Sequence, residues 1–220
     1  MANHQNNDQQ FVNIQSDSEE LEGMLGIPEG ASGIVLFAHG SGSSRHSPRN
    51  NFVAKQLRDA GIGTLLFDLL TSEEDEVDRM TRELRFDIEL LTRRLAGATE
   101  WLQQQEVAKD KKLGYFGAST GAAAALKAAV QKSMAVHAVV SRGGRPDLAR
   151  EALPNVTVPV LLIVGGLDHQ VIEMNRYAYA EMTSENKEVS IVDGATHLFE
   201  EPGKLEEVAG LARDWFKKWL

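Results

Sequence analysis

The residues best placed to do chemistry are a serine and its glycine neighbours, Gly117-Ala118-Ser119-Thr120-Gly121, which follow the apolar Leu113-Gly114-Tyr115-Phe116 and precede Ala122-Ala123-Ala124-Ala125-Leu126. A strand, a small-residue turn and a strong helix former in that order put the serine on a sharp apex. Side chains at 117 or 121 would collide with the neighbouring strand or helix, and the backbone N–H of Thr120 at the helix start points to where an oxyanion would form. Any Gly/Ser-rich turn can match G-x-S-x-G, so the setting carries the weight. A serine hydroxyl is a poor nucleophile at neutral pH and needs a base, itself oriented by an acid. Asp168 follows Leu161-Leu162-Ile163-Val164-Gly165-Gly166-Leu167, and His197 follows Ile191-Val192-Asp193-Gly194-Ala195-Thr196, each just past an apolar run. Ser119, Asp168 and His197 are therefore expected as nucleophile, acid and base. Among the competitors, Asp193 is expected to turn the chain, Asp68 to brace a loop, His137 to be a satisfied core histidine, and His169 to lie at the surface or line the mouth.

The elements that must position these groups are legible as alternating patterns. Continuous apolar runs at 34–38, 63–67, 135–140 and 159–164, with shorter ones at 113–116 and 189–192, read as buried strands. Helical spacing is expected over 48–60, 76–105, 120–131, 145–152, 171–183 and 202–219. Two more strands, at 11–15 and 21–27, are separated by acidic turn residues and could form an antiparallel edge. This alternation predicts an α/β domain with a mostly parallel sheet and helices on both faces. Ligands of such sheets lie beyond the carboxyl ends of the strands, where all three residues fall. Glu73-Glu74-Asp75-Glu76 is expected as a solvated acidic turn opening the long helix, since consecutive carboxylates rarely converge on a metal.

Composition bounds the rest. With 220 residues, 42% apolar and 25% charged, one domain over 11–220 with a disordered polar tail at 1–10 is expected. A net charge of −9 disfavours nucleic acid and anionic membrane surfaces, which leaves a small molecule as the expected partner. The absence of cysteine removes disulfides, thiolate metal sites and thiol nucleophiles. No basic–apolar leader or 18-residue apolar run is visible, so a cytoplasmic location is expected. No phosphate-binding G-x-x-x-x-G-K-[ST] loop is present.

Taken together, Ala38-His39-Gly40-Ser41-Gly42-Ser43, Gly117-Ala118-Ser119-Thr120-Gly121, Gly165-Gly166-Leu167-Asp168 and Ala195-Thr196-His197 resemble the dienelactone-hydrolase-like branch of the α/β-hydrolases from about Leu21 onward. The order Ser119, Asp168, His197 is the order of that fold. The resemblance implies an α/β-hydrolase fold without a cap domain, no cofactor or metal, and an oxyanion hole built from the backbone N–H groups of Ser41 and Thr120. Dienelactone hydrolase itself uses a cysteine in the elbow, so Ser119 points toward a serine esterase. The expected function is hydrolysis of a small ester, lactone or thioester through an acyl-enzyme; the alternative is a non-catalytic small-molecule sensor on the same scaffold. Arg45 and Arg142 both follow strands at the active end of the sheet and are expected to bind an anionic group of the substrate by paired hydrogen bonds.

Overall fold

A computed structural model describes residues 9–220 of the chain. Of the expected tail at 1–10, residues 1–8 lie outside the described residues, and Gln10 already belongs to a strand. Eight strands form one sheet: β1 (Gln10–Ser16), β2 (Glu19–Gly26), β3 (Gly33–Ala38), β4 (Gly63–Phe67), β5 (Lys112–Ala118), β6 (Val136–Arg142), β7 (Val160–Gly165) and β8 (Lys187–Val192). Their spatial order is β1-β2-β4-β3-β5-β6-β7-β8. β1 pairs antiparallel with β2 and β2 antiparallel with β4, while every other pairing is parallel. The antiparallel edge expected from the first two strands is thus present.

The continuous apolar runs mark strands covered on both faces: every residue of β3, β4 and β7 is buried. One face packs against α1 (Pro48–Asp59) and α6 (Lys204–Trp219), through Val53, Leu57, Val208, Ala212 and Phe216. The other face is covered by α3 (Ile88–Gln103), α4 (Thr120–Gln131) and the end of α5 (His169–Glu181), through Leu91, Leu95, Leu126 and Ala178. The all-alanine turn of α4 fits its place, since Ala122–Ala125 are fully buried and let helix and sheet approach closely.

Two helical expectations are corrected. The stretch 76–105 is not one helix but α2 (Ser72–Thr81), a 3-10 turn at Leu84–Phe86, and α3. Thr71 and Glu74 form a reciprocal capping box that starts α2 four residues early, so the acidic run is a first helical turn, where negative charge suits the helix dipole. Arg82 then enters the left-handed region at φ 60°, and Asp87 caps α3 by accepting from the Leu90 N–H at 2.9 Å. A buried Asp78 accepts from the Arg85 backbone and from Nε at 2.5 Å, which holds the break in place. The stretch 145–152 is 3-10 rather than α-helical, kinked at Arg150 with Pro154 inside. No helix among the described residues is long and apolar enough to cross a membrane.

Candidate active site

Ser119 stands between the last residue of β5 and the first of α4, with φ 50° and ψ −121°. A non-glycine residue there is strained, and the surroundings hold it. Its N–H donates to the Arg142 carbonyl at 3.3 Å, and its carbonyl accepts from the Arg145 N–H at 3.0 Å, so the apex is clamped to the end of β6. A Cβ on Gly121 would lie 2.1 Å from the Ala38 carbonyl oxygen and 2.6 Å from that of His39. The glycine therefore lets the start of α4 press against the loop that follows β3.

That loop carries Ser41. Residues 40–43 make a tight turn closed by the Ser43 N–H on the Gly40 carbonyl at 3.1 Å, with Gly42 at φ +68°. A Cβ on Gly40 would come within 3.0 Å of the Ser119 Cβ, so the turn sits directly against the elbow. His39 pins it from beneath. Its Nε2 accepts from the Leu69 N–H at 3.0 Å, which leaves the proton on Nδ1 to donate to the Gly40 carbonyl at 3.0 Å. Burial is the largest influence on this imidazole and pushes its pKa down, so it serves as a neutral bridge between β3 and the end of β4. Sequence reasoning placed His39 in the loop without giving it this role; the available signal was its position as the first polar residue after a fully buried strand.

Asp168 and His197 reach each other from consecutive strand ends. The Leu167 N–H donates to the Ala195 carbonyl at 3.0 Å, and a Cβ on Gly165 would lie 2.5 Å from the carbonyl oxygens of Ala195 and Thr196. Backbone against backbone thus lays the histidine loop on the end of β7. His197 Nδ1 lies 2.6 Å from Asp168 Oδ2, with the carboxylate mostly covered and the imidazole 40% exposed. Donation from Nδ1 to the carboxylate leaves Nε2 as the ring's acceptor, the tautomer a general base requires. The imidazole stands beside Gly143, where a Cβ would be 3.6 Å from Cε1, and Gly143 follows the Arg142 that pairs with Ala118 across β5 and β6. Ser119 Oγ and His197 share no hydrogen bond, as is common before substrate tightens such a site. Thr196 braces the loop by donating its N–H and hydroxyl to Glu201 at 3.1 and 2.6 Å, which also holds the Glu201 carboxyl below its ordinary pKa.

The remaining candidates separate clearly. Asp68 binds Arg45, Asp193 is exposed, His169 opens α5 at the surface, and His137 is half-buried with Nδ1 3.0 Å from the Ala135 carbonyl. Arg45 is engaged by both Asp68 and Glu22, so its charge is already balanced and it offers an anion little. Arg142 has no carboxylate partner: it is 7% exposed, with Nε and Nη1 unpartnered and Nη2 at 3.4 Å from Asn50 Oδ1. A cavity of about 630 Å³ opens beside Ser41 and Gly42 and is walled by Ser47, Arg49, Arg79 and Arg85. Among the described residues, no His, Asp and Glu side chains cluster to hold a metal.

Comparison with known proteins gives the family and the fold. The model of the dienelactone hydrolase family matches residues 21–219. The chain belongs to the dienelactone hydrolase family. A solved dienelactone hydrolase from Anabaena variabilis is 55% identical, covers 97% of this chain and 99% of its own, and superposes with a TM-score of 0.94. An esterase of Pyrococcus furiosus, 19% identical with a TM-score of 0.77 over 96% of this chain and 90% of its own, shares the fold. A Mycobacterium tuberculosis protein named as a putative phosphoribosyl transferase is 54% identical over 205 residues, 93% of this chain but 45% of its own length. This family member thus spans less than half of that relative. The α/β-hydrolase fold is as expected, with α2 and its following 3-10 turn inserted between β4 and α3.

Proposed function

We propose that this chain is a serine hydrolase that cleaves a small ester, lactone or thioester through an acyl-enzyme. The observation that carries this reading is the 2.6 Å Asp168–His197 pair beside a serine held at positive φ on the elbow. Ser119 Oγ attacks the carbonyl carbon while His197 Nε2 takes its proton, and Asp168 stabilises the imidazolium. The backbone N–H groups of Ser41 and Thr120 receive the developing oxyanion. His197 returns the proton to the leaving group, and water then releases the acid by the same steps in reverse.

The alternative is a sensor that keeps the pocket without turnover, which would not need Ser119 Oγ and His197 to share a hydrogen bond. Labelling separates the two. A fluorophosphonate probe followed by peptide mapping should tag Ser119, and 4-nitrophenyl acetate should be hydrolysed; an untagged Ser119 in folded protein would leave the sensor. The relative named as a putative phosphoribosyl transferase supports one addition: the matched part acts as the hydrolase of a longer arrangement, on a compound that a transferase makes or uses.

A further inference from the structure

Arg142 is anomalous. A buried guanidinium without a counter-charge is costly, because no carboxylate offsets its loss of hydration. Desolvation is the largest influence on it, with the charge of Arg49 second, and its pKa is pushed down to about 10, which leaves it protonated at neutral pH. Arg49 lies in the first turn of α1, a turn that holds no acidic residue, so the positive end of the helix dipole adds to both guanidiniums instead of offsetting them. The one carboxylate on Arg49, Glu200 at 2.7 Å, is 62% exposed, and pairs of that kind are weak and readily exchanged. Three buried donors remain without acceptors: Arg49 Nε, Arg142 Nε and Arg142 Nη1.

We infer that Arg49 and Arg142 form a subsite for a phosphate monoester carried by the substrate. A phosphate monoester brings close to two negative charges and three acceptor oxygens, which matches two guanidiniums and three orphaned donors; a carboxylate has one charge and two oxygens. Arg49 and Ser47 line the cavity beside the oxyanion loop together with Ser41, whereas Arg142 does not line it and is reached only when the Arg49 side chain swings away. Arg49 is the movable wall: it exchanges exposed Glu200 for the phosphate, while Arg142 stays fixed at the end of the strand paired with β5. The subsite adjoins the Ser41 loop, whose Gly40 lies against the Ser119 elbow, and it rests on the hydrolase reading only for the statement that its ligand is part of a substrate.

The test divides along that line. Titration calorimetry with inorganic phosphate, on Ser119→Ala protein, reads the subsite without any turnover. Phosphate should bind, and Arg49→Gln or Arg142→Gln placed in that background should weaken binding by about tenfold or more, as loss of charge-assisted bonds requires. Thermal melts verify folding, and Arg49→Gln, on the helix surface, carries the test if the buried substitution unfolds the chain. Kinetics on the wild-type protein then compare the acetate esters of 2-hydroxyethyl phosphate, glycolate and ethylene glycol. A kcat/KM at least about tenfold higher for the phosphate ester than for both others, lost in the arginine variants, supports the assignment. Absence of phosphate binding, binding unchanged in both variants, or equal preference for the glycolate ester overturns it. If none of the esters is hydrolysed while phosphate still binds through the arginines, the hydrolase reading fails and the subsite stands as an anion site alone.

Discussion

Replacing Ser119 with glycine should make the protein more stable while abolishing its activity. At φ 50° and ψ −121° the serine occupies a region that costs an L-residue about 1–3 kcal/mol and glycine almost nothing. Against this stands the extra freedom of glycine in the unfolded chain, about 0.5–1 kcal/mol. The hydroxyl contributes little to the balance, because Oγ has no hydrogen bond and the residue is only half-buried. The net gain is therefore about 0–2.5 kcal/mol, centred near 1 kcal/mol, or up to roughly 10 °C in melting temperature for a chain of this size. Ser119→Ala is the comparison that isolates backbone strain, since it removes the hydroxyl and retains the Cβ. Urea denaturation of the three proteins, analysed at a common slope, measures the difference. Arg150 provides a second site with nearly the same dihedrals, φ 45° and ψ −115°, away from the chemistry, so Arg150→Gly should gain a similar amount and keep activity. A glycine variant at 119 no more stable than the alanine variant would refute the claim that the elbow stores strain.

Asp168→Asn should lower kcat by about 10³–10⁴-fold with 4-nitrophenyl acetate, because the imidazole loses its tautomer and its counter-charge together; wild-type turnover would remove Asp168 from the triad. Gly121→Ala drives a Cβ to 2.1 Å from the Ala38 carbonyl oxygen and should cost about 3 kcal/mol along with most of the activity. Gly210→Ala, in α6 with nothing within 4 Å of the added carbon, should instead gain up to about 1 kcal/mol, and denaturant midpoints of the two variants compare them directly. The depressed pKa of buried His39 implies a loss of stability in acid: the unfolded chain takes a proton below about pH 6.5 while the folded chain does not until its lower value is reached. Stability from this group is full above pH 6.5 and falls by at most about 1.4 kcal/mol per pH unit below it, so the stability difference between wild type and His39→Gln should stay constant from pH 8 to about 6.5 and change only on the acid side.

Much of the architecture is local chemistry and is visible in the chain itself. Runs such as Val160–Gly165, apolar throughout, have no solvated face and can only be interior strands, and the glycine-flanked Ser119 between β5 and α4 is legible because steric crowding at the elbow restricts which residues fit. The order of strand-end residues is likewise enough to nominate Asp168 and His197. What the chain could not show is which charges meet across it. Arg45 and Arg142 look alike in sequence, each a few residues past a strand, yet Asp68 and Glu22 surround the first while the second is buried without a carboxylate. The break between α2 and α3 was hidden for the same reason: Asp78 and Arg85 lie on what reads as one helical pattern, and the left-handed turn at Arg82 becomes visible only with their hydrogen bonds in place. Periodicity and turn chemistry act over a few residues and so are written into the sequence, whereas the surroundings of a charge depend on distant residues, an acid 23 residues away for Arg45 and only the neutral Asn50, 92 residues away, for Arg142, and are decided when the sheet brings them together.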